Sequence, residues 1–84
     1  MLDRVISIIS EYQDIPVDEI HADSHLVNEL SFSSFDVISL IGRFEDEFDI
    51  EIPDRKIKLL KTVEDVVKLI EESMQEEWLL RKMS

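Results

Sequence analysis

The chain has no cysteine, one glycine, two prolines and few cations. Without cysteine, no disulfide framework, thiolate metal site or cysteine nucleophile is open to it. Scarce glycine and proline leave few residues for tight turns, which disfavours a meander of short strands and favours helices. A single glycine, Gly42, also excludes a glycine-rich phosphate loop. Nine Lys and Arg stand against twenty Asp and Glu, a net charge of −11. That balance argues against nucleic acid and anionic membranes as partners and favours a basic partner surface. The N-terminus carries Asp3 and no apolar run of signal-peptide length, and no stretch is long enough to span a membrane. The expectation is a cytoplasmic protein without membrane insertion.

What is present fits one small domain. At 84 residues the chain has room for a single core, and 44% hydrophobic residues lift it out of the disordered regime. A domain of this size buries only roughly 60% of its unfolded surface, so its stability is modest. The acidity is concentrated. Residues 11–51 hold twelve acids and one base, Arg43, whereas residues 1–10 and 52–84 together hold eight of each.

Along the chain, Leu2, Val5, Ile6, Ile9 and Tyr12 form one apolar stripe on a first helix, which must end before Pro16. Residues 13–33 lack a sustained period and read as a long loop, with a helical turn near Asp18–His21 capped by Asp18. Ile15, Val17, Ile20, Leu26, Val27 and Leu30 are its expected anchors to the core. A second helix is expected from Ser33 or Ser34 to about Phe48, with Val37, Leu40, Ile41, Phe44 and Phe48 on one face. Ser at its start satisfies a free N–H, and Asp36 complements the positive end of the dipole. Asp54 is expected to cap a short third helix reaching Leu59 or Leu60. Thr62 with Asp65 three residues on is a capping-box variant opening the last helix, which turns Val63, Val66, Val67, Ile70 and Met74 inward. The predicted fold is all-α, a four-helix bundle of three main helices and a short third one, with a long loop between the first and second. Residues 1–84 are one domain, with 75–84 as a helical extension or tail in which Trp78, Leu79 and Leu80 either reach the core or form a patch.

Catalytic patterns are poor. His21 and His25 are four residues apart but sit in a loop with no third ligand at motif spacing, so two solvated histidines is the simpler reading. The acids of 45–51 lack the glycine of a calcium loop, and no serine has an oriented base beside it. The informative stretch is ELSFSSFDVISLIGRFEDEFDIEIPD, residues 29–54. It delivers two serines to the N-terminus of an amphipathic helix, where N–H groups and the dipole favour a phosphate group. From the residues alone, Ser33 and Ser34 read equally well as plain cap residues.

This stretch resembles the signature of acyl carrier proteins. Leu30, Ser31, Phe32, Ser33, Ser34, Phe35 and Asp36 correspond to the family's leucine, small residue, variable residue and Asp-Ser-Leu-Asp opening. Residues Glu45 to Asp54, ending Ile50-Glu51-Ile52-Pro53-Asp54, fall at the family's distance from the serine, and Thr62 to Val67 resemble its entry into the last helix. The resemblance spans about residues 2–72. It implies a free-standing carrier, without catalytic residues or metal of its own, that is modified by a separate phosphopantetheinyl transferase. From coenzyme A, with magnesium, Ser34 would receive a 4′-phosphopantetheine arm whose thiol holds acyl groups as thioesters. The arm serves acyl-loading and acyl-processing enzymes with basic docking surfaces, in fatty-acid or specialised (polyketide, lipid or aminoacyl) biosynthesis. Phe35, Asp36, Ile38, Gly42, Glu45 and Asp46 are the candidate docking residues on a monomer. The alternative is an unmodified carrier-fold module that acts as an acidic interaction surface.

Three departures stand out. Ser33 replaces the family's aspartate, Ser39 stands where a glutamate is common, and Arg43 adds a positive charge to the same helix. Rim charges mainly set on-rate and partner choice, so these changes redirect which enzymes dock more than whether the arm attaches. Gly42 stands where a medium apolar residue is usual, either through drift or for close approach by a partner or acyl chain. Arg55, Lys56, Lys58 and Lys61 make a basic strip where relatives are acidic or mixed, which either pairs with the 45–51 acids or meets an acidic partner.

Overall fold

Apolar residues at three- and four-residue spacing generate three amphipathic helices, and a computed structural model shows them wrapped around one core. The structure describes residues 1–83, with side chains as far as Gln75. The helices are α1 (Leu2–Gln13), α2 (Ser34–Phe48), α3 (Asp54–Ile57) and α4 (Val63–Met83), with a single 3₁₀ turn at Val17–Glu19. Among the described residues there is no strand, and one isolated antiparallel bridge joins His25 to Thr62. Val5 and Ile9 of α1, Val37, Leu40, Ile41 and Phe44 of α2, and Val63, Val66, Leu69 and Ile70 of α4 are buried together. No described helix is long and apolar enough to cross a membrane. The prediction of an all-helical bundle with a short third helix therefore holds.

Each junction has a physical cause. α1 stops at Asp14, which takes the left-handed conformation (φ 56°) and returns its N–H to the Ser10 carbonyl. α2 stops in the same way at Asp49 (φ 53°), whose N–H reaches the Glu45 carbonyl. With glycine scarce, left-handed positions fall to Asp14, Asp49 and Ser31 (φ 61°), and the one glycine is at none of them. Thr62 and Asp65 form the expected capping box: the Asp65 N–H donates to the Thr62 hydroxyl at 3.2 Å, and the Thr62 N–H donates to Asp65 Oδ2 at 3.1 Å.

The long loop is tied down by backbone bonds to the start of α4. Leu26 N–H donates to the Lys61 carbonyl (2.9 Å), Val63 N–H to Ser24 (3.1 Å) and Glu64 N–H to Ala22 (2.8 Å). Ile20, Leu26 and Leu30 anchor it as expected, and Ile15 is half-buried. Val17 and Val27 do not: each is 51% exposed, because an aperiodic segment gives no rule for which side faces in. Phe32 is the anchor that the sequence reading passed over. It is 1% exposed, and its ring stacks on Tyr12 of α1 with centroids 5.8 Å apart.

Two cap assignments are corrected. The 3₁₀ turn begins one residue earlier than expected, with Pro16 at the cap and Asp18 inside the turn. α3 is capped at Pro53, has no side-chain cap and ends at Ile57, two or three residues short of the expected Leu59 or Leu60. Pro53 presets the backbone for entry, which displaces Asp54 into the first helical position. Met74 is at the edge of the core at 38% exposure. The side chains of Trp78, Leu79 and Leu80 lie outside the described residues.

Candidate functional site

The start of α2 divides the work between its two serines. Ser33 is the N-cap: its hydroxyl accepts the Asp36 N–H at 3.1 Å. The Asp36 carboxylate completes the box by accepting the Ser33 N–H and the Ser33 hydroxyl, both at 3.0 Å. Ser34 is the first helical residue, exposed, and no hydrogen bond among the described residues takes up its hydroxyl. Its N–H and that of Phe35 precede the first ladder bond, which runs from the Val37 N–H to the Ser33 carbonyl at 3.0 Å. Those two donors and the dipole leave the Ser34 oxygen in a place that favours negative charge.

Asp36 also accepts the Tyr12 hydroxyl at 3.3 Å, so the last turn of α1 braces the start of α2. The Ser33 N–H first, then the Ser33 hydroxyl and the Tyr12 hydroxyl, hold the Asp36 carboxyl below the usual carboxylate range, against a smaller opposing effect of burial. Arg43 lies over the other side of this bracing, its guanidinium carbon 5.8 Å from the Tyr12 ring centroid. At 100° per residue Arg43 is about 180° around α2 from Ser34. Its charge therefore belongs to the α1 side of the helix and is turned away from the serine.

The six other candidate residues separate into two groups. Phe35 and Ile38 are 75% and 58% exposed, and with Gly42 and Asp46 they share the outward sector of α2. A Cβ built on Gly42 would meet nothing within 4 Å, so no contact inside the fold requires glycine there. Asp36 and Glu45 are half-buried and have duties within the fold. Asp36 closes the capping box, and Glu45 Oε2 accepts the Ile52 N–H at 3.0 Å, fastening the link between α2 and α3. Beyond α2, Arg4 of α1 pairs with Glu47, a contact the sequence reading did not anticipate.

Beside Ser34 lies a groove of about 350 Å³ between α2 and the α3 region. Val27, Val37, Ile38, Ile57 and Leu60 give it apolar walls, and Lys58 is the one charged residue lining it among those described. Its lining was not legible beforehand, because it joins the loop, α2 and the turn after α3. An exposed serine hydroxyl at a helix N-terminus, next to an apolar groove with one cation, fits a phosphate-linked arm of mixed polarity. The two loop histidines take no part: the His25 ring nitrogen Nδ1 accepts the Asn28 N–H at 3.2 Å, and His21 is exposed.

Comparisons with known proteins agree with this geometry. Residues 3–70 match the family model described as the phosphopantetheine attachment site. The chain is 41% identical over 71 residues to an acyl carrier protein of Prochlorococcus marinus (strain MIT 9515), covering 84% of this chain and 89% of that one. It superposes on the crystal structure of an acyl carrier protein from Thermotoga maritima with a TM-score of 0.77 at 28% sequence identity, covering 88% of this chain and 86% of the other.

Proposed function

This chain belongs to the acyl carrier protein family, and on that premise we propose that Ser34 is the residue esterified by 4′-phosphopantetheine. Members of the family are carriers, not enzymes; transferases modify them and acyl-processing enzymes work on what they carry. When bound, the group supplies a terminal thiol on which acyl chains are held as thioesters.

The observation that carries the Ser34 reading is the division between adjacent serines. Ser33 is committed to the capping box as donor and acceptor, while Ser34 presents an exposed, unengaged hydroxyl. The free N–H groups of Ser34 and Phe35 favour the anion that esterification leaves on this oxygen. Phe35, Ile38, Gly42 and Asp46 form the face that partner enzymes with basic surfaces meet: an exposed apolar centre with acid towards its far end. Glu45 and Asp36 lend that face charge while serving the fold. With Arg43 turned to Tyr12, Ser33 and Ser39 are the departures that lower the acidity nearest the attachment point. This favours a dedicated set of partners in fatty-acid or specialised biosynthesis.

The test is incubation with coenzyme A and a broad-range phosphopantetheinyl transferase, read by intact mass. The protein and its Ser33→Ala variant should each gain one phosphopantetheine, and Ser34→Ala none. A gain that survives Ser34→Ala, or no gain by the unaltered protein, overturns the assignment and favours the unmodified interaction module.

A further inference from the structure

We propose that Lys58 pairs with the phosphodiester of the arm carried by Ser34 and holds it on the α3 side of the serine, along the apolar groove. The inference rests on the Ser34 reading and adds a specific role for a residue of the basic strip. Lys58 is exposed and engaged in none of the described ion pairs or hydrogen bonds through its ammonium group, whereas Lys68 pairs with Glu64 and Arg4 with Glu47. It lines the same groove as Ser34, within a 350 Å³ space of the size that small ligands occupy.

Charge complementarity selects the occupant. A phosphodiester on Ser34 places a fixed negative charge at the edge of a helix that itself carries Asp36, Glu45, Asp46 and Glu47 in a chain of net charge −11. The backbone N–H groups at the start of α2 favour that charge, and of these acids only Asp36 is in the same turn, where it is engaged by Ser33 and Tyr12. Arg43 is about two and a half turns along the helix, on its opposite side, and faces Tyr12. Of the described cations, Lys58 is the one that lines the groove together with Ser34, and because the phosphate is tethered to Ser34 it is always within the groove's neighbourhood. Beyond the phosphate the arm's methyl-bearing segment meets Ile38, Ile57 and Leu60. The anion could instead be a carboxylate at the end of the cargo. The diester is favoured because it is bonded directly to Ser34, whereas a terminal carboxylate reaches Lys58 only if the whole arm folds back.

The experiment uses protein converted with coenzyme A and transferase, with intact mass confirming one arm per chain. Failure at that step is visible in the mass alone and removes both the Ser34 reading and this one. On modified protein, proton cross-relaxation between the arm's methyl groups and the Ile57 and Leu60 methyls is measured, with the phosphorus resonance alongside. The unaltered protein should show these contacts and a phosphorus shift that moves on Lys58→Gln. Lys58→Gln should weaken the contacts about two- to fivefold, the range for one exposed ion pair, and Lys58→Arg should restore them. About 1 M salt should act like Lys58→Gln, since screening at that concentration reaches within about 3 Å. Butyryl- and succinyl-loaded forms separate the two anions: Lys58-dependent contacts are expected in both. Dependence confined to the succinyl form overturns the diester assignment, as does a fully modified protein whose arm contacts ignore Lys58→Gln and salt.

Discussion

Replacing Gly42 with alanine should make this protein more stable, and the size of the gain follows from the structure. Gly42 is inside α2, six residues before its end, with no positive φ that would call for glycine. Glycine in a helix interior costs about 1 kcal/mol relative to alanine, because it gives up more backbone freedom on folding. Two further effects could alter that figure, and the surroundings remove both. A Cβ at residue 42 meets no atom within 4 Å, so there is no clash to subtract and no new burial to add. The expected gain is therefore the helix propensity alone, about 1 kcal/mol. For a domain of this size that corresponds to a melting temperature higher by about 4–8 °C. In urea the midpoint should rise by about 0.5–1 M with the slope unchanged, taking a slope of about 1–2 kcal/mol per molar. Circular dichroism melts and urea titrations of the two proteins give both quantities. An unchanged or lower midpoint at constant slope would refute the reasoning, since it requires a steric or packing role that the structure does not contain. The same pair of proteins tests the interface: slower transferase modification of the more stable variant is the result expected if a partner approaches closely at residue 42.

Substitutions at three further residues probe the approaches to the helices. Ser31 holds φ 61°, a conformation that costs a non-glycine residue about 1 kcal/mol or more and a β-branched one most. Ser31→Gly should raise the urea midpoint slightly, glycine's greater unfolded freedom offsetting part of the relief, and Ser31→Val should lower the unfolding free energy by at least about 1 kcal/mol. For pH, the Asp36 carboxyl has its folded value depressed by the Ser33 N–H first, and Asp65 by the Thr62 N–H first. A depressed folded value means stability that is complete above the unfolded value of about 4 and is lost as pH falls through the lower folded one. Thermal melts from pH 5 downward should show that loss in the unaltered protein and a shallower one in Asp36→Asn and Asp65→Asn; an equally steep loss in both variants would place the acid-labile contacts elsewhere.

The three long helices could be read from the sequence because each supplies a sustained period: Val5 and Ile9, then Val37, Leu40, Ile41 and Phe44, then Val63, Val66 and Ile70 all face the core as spaced. From residue type alone Ser33 and Ser34 read alike as cap residues, and the family resemblance points to Ser34 as the attachment position. The structure adds that Ser33, three residues before Asp36, is the serine held in the reciprocal bonds of the capping box. Phe32 escaped notice because it lies in an aperiodic segment, and its burial depends on Tyr12, twenty residues earlier. The direction of Arg43 depended likewise on an aromatic ring of another helix. Glu45 reads as a surface acid until the chain folds back and brings the Ile52 N–H to it. What sequence left undetermined were contacts between elements, where periodicity carries no information.

The four-residue α3 has a consequence for how the molecule moves. It buries none of its own residues and has no side-chain cap, while the loop before α2 is pinned to α4 by three backbone bonds. Regions with little buried apolar surface open at the lowest free-energy cost. Amide exchange should therefore be fastest in 54–60 and slow at the donors of those three bonds, Leu26, Val63 and Glu64. The groove beside Ser34 then has one stiff wall, α2, and one yielding wall, α3 and the turn after it. A guest in that groove would be accommodated by local breathing of the single yielding wall, with α2 left undisturbed.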